Sequence, residues 1–484
     1  MCFRAHTYFC LFLVRELIKH FFVYGLGATI GKFLSVLLLP IYASVFTPED
    51  YGCLDLILTL STIVSVFGMM QLETGLQRFY YEYKNNKNRC ILVSTALVAT
   101  TVITLFFTIL SLIFIPLISE SFLEGKYQIE LIVSFLSMLP LNVLTIIFVD
   151  LRYRDKSVVY MILTVTQVLL SAVAAIVAVK VFNYGIMGVI AANTLTQFLI
   201  MGVAFIIWSH WGGKMLINVK MLKKMFSFGL PQFPARLGSI SNSYINRFFM
   251  VSMLTVSAIG IYSVSLKISS AFQLIQMAFQ LAWLPFLYKT LTEPDHREKI
   301  VRYYKEIIFV VSIFVFIFSL YSEEITLLLT NESYQDASHY VPLLSFYFSL
   351  FILKEIVDVG VNVTKKSKYT SYIFGVATVV NIVLLYFLTP RLSIYGVALA
   401  LLLSNFVLFY LTLIVSERLY PVHFPIKMTV VIHTGLLIVL LVVSYYHIPL
   451  IVKLGLTFGA FLVLFFRYKT TIWMMVEHNK KKIN

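Results

Sequence analysis

Of 484 residues, 60% are hydrophobic and only 13% charged, about half the charged share of a soluble domain, which excludes an ordinary soluble protein and points to a polytopic membrane protein. The formal net charge of +15 would suit nucleic acid, but Lys and Arg stand in short blocks between apolar runs. That pattern sets membrane orientation, so a nucleic-acid partner is not expected.

Residues 1–21, MCFRAHTYFCLFLVRELIKHF, read as a basic amphipathic lead-in at the membrane surface, since no small-residue cleavage site follows the short apolar run. The first span, 22–46, carries Lys32 near its middle, with Gly25, Ala28, Thr29, Lys32 and Ser35 on one side. A lysine at that depth costs on the order of 3 kcal/mol, so this side is expected to line an interior cavity. GLGATI has Ile30 where a dinucleotide loop needs its third glycine, and a P-loop ending at Lys32 would need Ser or Thr at Phe33. Gly27 and Gly31 read instead as close helix contacts.

Further spans are expected at 54–76, 91–118, 131–151, 158–180, 186–208, 228–254, 258–287, 304–329, 341–362, 370–389, 393–416, 427–446 and 449–467, each about 20 residues or more, fourteen with the first. Lys and Arg segregate between alternate connections, with Lys126, Lys180, Arg391 and Lys453 on one side and the other basic connection residues opposite. This places both termini on the cytoplasmic side of the inner (plasma) membrane. Cys2, Cys10, Cys53 and Cys90 show no CxxC spacing, and this orientation puts Cys53 and Cys90 on opposite faces, so no disulfide framework or metal site follows.

An internal repeat organises the spans. TPEDYGCLD from Thr47 recurs in outline as TVSAIGIYS from Thr255, matching Gly52 with Gly260, and NYGIMGVIAANT from Asn183 recurs as IYGVALALLLSN from Ile394. The shared offset of about 210 residues covers six spans, an even number, so the two halves keep one orientation. The expected fold is an all-α polytopic membrane protein with two parallel six-helix repeats and two C-terminal helices. Its parts are a lead-in at 1–21, an N-lobe at 22–212, a C-lobe at 213–416, and the last two helices with a basic tail at 417–484.

Lys32, Arg236, Arg247, Lys267 and Lys354 fall inside spans. If all five faced lipid, the cost of about 15 kcal/mol would rival the stability of a whole fold, so most must meet water or partners. Arg236, Ser239, Ser243 and Arg247 share a face of the seventh span, with Asn242 and Asn246 close by and about 16 Å between the arginines. The plainer alternative is that Arg247 snorkels to headgroups. Lys267 falls opposite a stripe of Tyr262, Ser269, Gln273, Gln276 and Gln280. Lys354 and Asp358 stand at an i,i+4 spacing with Glu355 beside them, which suits a structural ion pair or a coupling site. Glu73 and Arg78 close the second span. The candidate substrate-lining residues are therefore Lys32, Arg78, Arg236, Arg247, Lys267 and Lys354, and the ion-coupling candidates are Glu73, Glu355 and Asp358. Glu323 and Glu324, in a loop with Glu332 and Asp336, read as a solvated acidic face without a basic partner, so no catalytic residue, enzyme activity or cofactor is expected.

Several motifs carry a family likeness: YGLG at Tyr24, LLLPIYASVFTPEDYG ending at Gly52, GLQRFYYEY from Gly75, FSFGLPQFPA from Phe226, INRFF from Ile245, and IGIYSVSLKI with AWLPF between Ile259 and Phe286. Together they resemble the bacterial polysaccharide-unit flippases (O-antigen, capsule or Wzx type) of the multidrug/oligosaccharidyl-lipid/polysaccharide (MOP) transporter superfamily. The resemblance runs from about Val14 to Val415 and leaves residues 1–13 outside. It implies MATE-like lobes working by alternating access. The implied substrate is an oligosaccharide on undecaprenyl diphosphate, moved between leaflets for lipopolysaccharide or other surface polysaccharide, with a polymerase and a chain-length regulator as partners. The family often has Asp-Arg in the seventh span. Here Asn246-Arg247 keeps the arginine and removes its acidic neighbour. A drug/cation antiporter of the same superfamily is the alternative, disfavoured because the first span carries Lys32 and no acid. A membrane polymerase or glycosyltransferase would need a large outer loop with catalytic carboxylates.

Overall fold

The computed structural model describes residues 31–211, 216–364, 366 and 368–483. The lead-in, the start of the first span with Gly25, Ala28 and Thr29, and the residues around Lys214 and Lys365 lie outside the described residues. Within them every regular element is helical. The first half contains α1 (Gly31–Ala43), α2 (Pro48–Met69), α3 (Leu72–Phe79), α4 (Asn86–Ile113), α5 (Ile115–Leu123), α6 (Gln128–Tyr153), α7 (Ser157–Lys180), α8 (Gly185–His210) and α9 (Val219–Gly229). The second contains α10 (Phe233–Met253), α11 (Val256–Ser269), α12 (Ala271–Thr290), α13 (His296–Leu320), α14 (Ser322–Leu329), α15 (Ala337–Val357), α16 (Val359–Thr364), α17 (Lys368–Leu419), α18 (Ile426–Tyr445) and α19 (Leu450–Ile483).

Eleven helices among the described residues are long and apolar enough to cross a bilayer, against fourteen expected. Two of the differences have physical causes, and the third falls on the first span, of which residues 22–30 lie outside the described residues. The 52-residue α17 holds two expected spans, joined across Ser393, whose φ of 52° breaks the helix just after Pro390. Of the first span, the helix is described from Gly31 to Ala43, too short to count as a crossing. α10 has the length, but Arg236, Asn242, Asn246 and Arg247 lower its hydropathy. The expected second span, 54–76, also ends early: Met70 and Gln71 adopt left-handed φ of 43° and 59°, so α2 stops at Met69. Glu73 and Arg78 then fall on α3, a separate amphipathic helix of eight residues.

The repeated motifs fold alike. Thr47 caps α2 by accepting from the Asp50 N–H at 3.2 Å, and Thr255 likewise accepts from the Ala258 N–H at 3.2 Å at the start of α11. The matched glycines meet each other. A Cβ on Gly52 would lie 2.1 Å from the Val256 carbonyl oxygen, and one on Gly260 would lie 1.8 Å from that of Pro48, so α2 and α11 cross backbone to backbone.

Compact packing divides the chain between Ser263 and Val264, inside α11. The repeat-derived boundary at residue 212 is earlier, because α9 and α10 pack with the first unit. That unit's core gathers Leu72, Leu76, Ile146, Ile147, Trp208 and Met225. Several of its membrane-level polar groups pair internally. Asn142 receives the Ser65 hydroxyl at 2.9 Å and donates to Thr104 at 3.1 Å, while the Ser61 and Ser134 hydroxyls meet at 2.5 Å. The second unit is centred on Trp283, Tyr304, Ile308, Leu353, Phe409 and Leu413. α19 exposes Ile451, Leu454, Phe458, Phe461 and Phe465, as a lipid-facing helix should.

Candidate functional site

The most developed intramembrane site is built on Arg247. α10 carries this guanidinium about two turns from its C-terminal end, where it is 5% exposed. Its Nε donates to Oδ2 of Asp55 on α2 at 2.8 Å. Its carbon sits 5.3 Å from the Tyr244 ring centroid and 5.6 Å from that of Tyr262, and Asn246 donates to the Tyr262 hydroxyl at 3.0 Å. Asp55 lies about 10 Å along α2 from Pro48, and Arg247 about 9 Å along α10 from Met253. The pair is thus well below the helix ends, about one turn beyond the Gly52–Gly260 crossing. Snorkelling does not describe an arginine this buried. The acid missing beside Arg247 in sequence is supplied by another helix. Sequence reasoning passed over Asp55, although a carboxylate inside the apolar run LDLILTL is a recognisable signal.

The other arginine of the seventh span differs. Arg236 is exposed, near the opposite end of α10, and the side chains of Ser239, Asn242 and Ser243 lie outside the described residues. The expected polar ladder is therefore described only at its two ends. Lys32 is half-buried on α1, and Lys267 is half-buried on α11. The stripe opposite Lys267 crosses the turn at Ser270 where α11 meets α12, two helices that together form one membrane-crossing stretch, Val256–Gln280. Its upper part packs against protein: the neighbouring Ser265 donates to the Ala337 carbonyl at 2.9 Å, and Ser269 to that of Val341 at 3.2 Å.

In the second unit, Lys354 is 7% exposed, pairs with Asp358 at 3.0 Å and faces the Phe374 ring at 5.8 Å. Glu355 points elsewhere and accepts from Gln280 at 3.3 Å, while the Trp283 indole donates to its carbonyl at 3.1 Å. This leaves a half-buried carboxylate held by an amide beside a self-contained ion pair. Arg78, on α3 outside the spans, pairs with Glu82 at 3.1 Å, and Glu73 on the same helix is half-buried. The acidic loop has the basic partner the sequence did not reveal. The Lys453 ammonium lies 2.9 Å from Glu323 and 2.8 Å from Glu324, and His447 meets Glu323 at 3.0 Å.

Residues 41–339 match the family model described as "Polysaccharide biosynthesis protein". No functionally curated protein is significantly similar in sequence. Among solved structures, the lipid II flippase MurJ in an inward closed conformation superposes with a TM-score of 0.71 at 16% identity, over 92% of this chain and 99% of that one. An inward-facing multidrug resistance MATE transporter of the MOP superfamily gives 0.57 at 13% identity, over 81% and 98%. The Vibrio cholerae MATE transporter VcmN, in a point-mutant form, gives 0.56 at 13% identity, over 84% and 97%. At these identities the likeness concerns the fold.

Proposed function

The chain belongs to the polysaccharide biosynthesis protein family and has the fold of the MOP superfamily, and from that premise we propose that it is a flippase for oligosaccharide units linked to undecaprenyl diphosphate. The observation that carries this reading is Arg247, a guanidinium kept at membrane depth with one carboxylate and two aromatic faces as company. A diphosphate crossing a bilayer needs cations that replace its hydration, and a guanidinium offers five donors in a fork suited to phosphate oxygens. While the substrate is absent, Asp55 compensates the charge. An arriving diphosphate competes for the same donors, so the pair can exchange one anion for another without leaving a bare cation in the membrane.

Within the first unit, Lys32 and Arg236 are further cation candidates for this headgroup; Lys267 and Lys354 are the candidates of the second unit, and Arg78 on α3, held by Glu82, is the weakest of the set. Glu355 is the preferred site for ion coupling, because its carboxylate is held by a neutral amide while Asp358 is already taken by Lys354. Glu73 is the weaker coupling candidate, since α3 lies outside the spans. The inner membrane, with both termini cytoplasmic, is the proposed location. A polymerase and a chain-length regulator are the proposed partners.

A deletion strain tests the reaction class. Loss of a flippase should leave complete lipid-linked units accumulating in the leaflet where they are made, detected by lipid extraction, mass spectrometry and a leaflet-access probe. Truncated units would point to a transferase. Complete units already accessible from outside would point to a polymerase.

A further inference from the structure

We propose that the basic end of the first unit is a docking surface for anionic phospholipid headgroups, built by α3 and α9 acting as one plate. Both helices are short, lie outside the spans and are amphipathic. α3 buries Leu72, Leu76 and Phe79, and α9 buries Met221 and Met225. Two glycines lock them together: a Cβ on Gly75 would lie 2.6 Å from the Met225 carbonyl oxygen, and one on Gly229 would lie 2.5 Å from that of Gln71. The helix backbones therefore touch at both glycines.

The plate and the connections beside it are cationic: segments 72–89, 150–156 and 219–224 carry ten Lys and Arg against four Asp and Glu, of which Asp150 is buried and paired with Arg154 at 2.8 Å. Glu82 is committed to the plate itself, accepting from Arg78 at 3.1 Å and from Lys224 at 2.6 Å. The hydrogen bond from Lys224 holds the Glu82 carboxyl below its usual range, so the bridge stays ionised at neutral pH. Lys220 and Lys223 are exposed and have no ion-pair partner among the described residues. Arg89 lies against the Tyr80 and Tyr81 rings at 5.5 and 5.4 Å, which orients its guanidinium.

Charge alone would also suit an acidic protein. Phe228, Leu230 and Tyr81 decide for a lipid surface, being 36%, 45% and 58% exposed beside these cations. α3 begins three residues after α2 leaves the membrane and α4 re-enters at Asn86, so the plate sits at headgroup level. Exposed rings with lysines at that level place apolar groups under the headgroups and ammonium groups among the phosphates.

The test uses the full-length protein in mild detergent, titrated with dioleoyl-phosphatidylglycerol and dioleoyl-phosphatidylcholine and read by native mass spectrometry. Wild type should retain phosphatidylglycerol in preference. The Lys220→Gln/Lys223→Gln variant, whose changes are at exposed positions, should lose about fivefold of that preference per lysine, with an unchanged melting temperature. Lys126→Gln, at the other membrane face, should retain it. Equal retention of the two lipids by wild type, or an unaltered preference in the double variant, would overturn the proposal. So would displacement of phosphatidylglycerol by stoichiometric isoprenyl diphosphate, which would assign the plate to the lipid-linked substrate instead.

Discussion

Arg247 and Asp55 are 192 residues apart, and their meeting is what the sequence could not display. Hydropathy and spacing are local properties, so they reveal a cation inside a span but not the carboxylate that another helix brings to it. Lys354 and Asp358 were legible because both lie on one turn. Removing one member of a buried pair leaves the other uncompensated, at about 3 kcal/mol or more. Asp55→Asn should therefore lower the melting temperature of the purified protein clearly, whereas Asp55→Asn/Arg247→Gln should recover much of the loss. The double variant should still fail to export polysaccharide, and Arg247→Lys should retain part of the activity. Normal export by a folded double variant would remove Arg247 from the transport route.

At the scale of elements, helix positions followed from apolar length, but helix ends often did not. Nothing in Met70-Gln71 announces a break, since neither Gly nor Pro marks it. The left-handed turn arises where α3 packs down on α9. By contrast, Gly52 and Gly260 were visible as a repeat, although not as partners. Alanine at either should force the two backbones apart and cost about 1–3 kcal/mol, whereas Gly202→Ala, facing open space on α8, should be neutral or slightly stabilising. Fluorescence-detected size exclusion after a heating series would separate these outcomes. The Lys453 cluster ties α19 to α14. Burial alone would raise the Glu323 carboxyl, but hydrogen bonds from Lys453 and His447 outweigh it and hold the group below the usual carboxylate range. A depressed folded value stabilises above the unfolded one, near 4.5, and that contribution fades as pH falls through the folded value. Thermal stability should thus decline below about pH 4.5, and Glu323→Gln should show a smaller decline over that window. An identical profile in the variant would dissociate the cluster from acid sensitivity.

For the whole molecule, the alternation of basic connections sets an orientation that labelling can check. In a cysteine-free background and intact cells, a membrane-impermeant thiol reagent should modify Ser333→Cys and spare Asn86→Cys; the reverse would invert the topology. Both positions are exposed, so reagent access rather than burial decides the outcome. The fold was readable because membrane spans and a repeat are written in composition and period, while the substrate route depends on tertiary partners. The most direct measurement of the central claim is translocation in proteoliposomes containing the purified protein and an undecaprenyl-diphosphate-linked oligosaccharide, with lectin accessibility reporting the leaflet. Accessible sugar should appear on the opposite leaflet faster than in protein-free vesicles, and Arg247→Gln should abolish the excess. Transfer no faster than in protein-free vesicles, by folded wild-type protein, would contradict the flippase assignment.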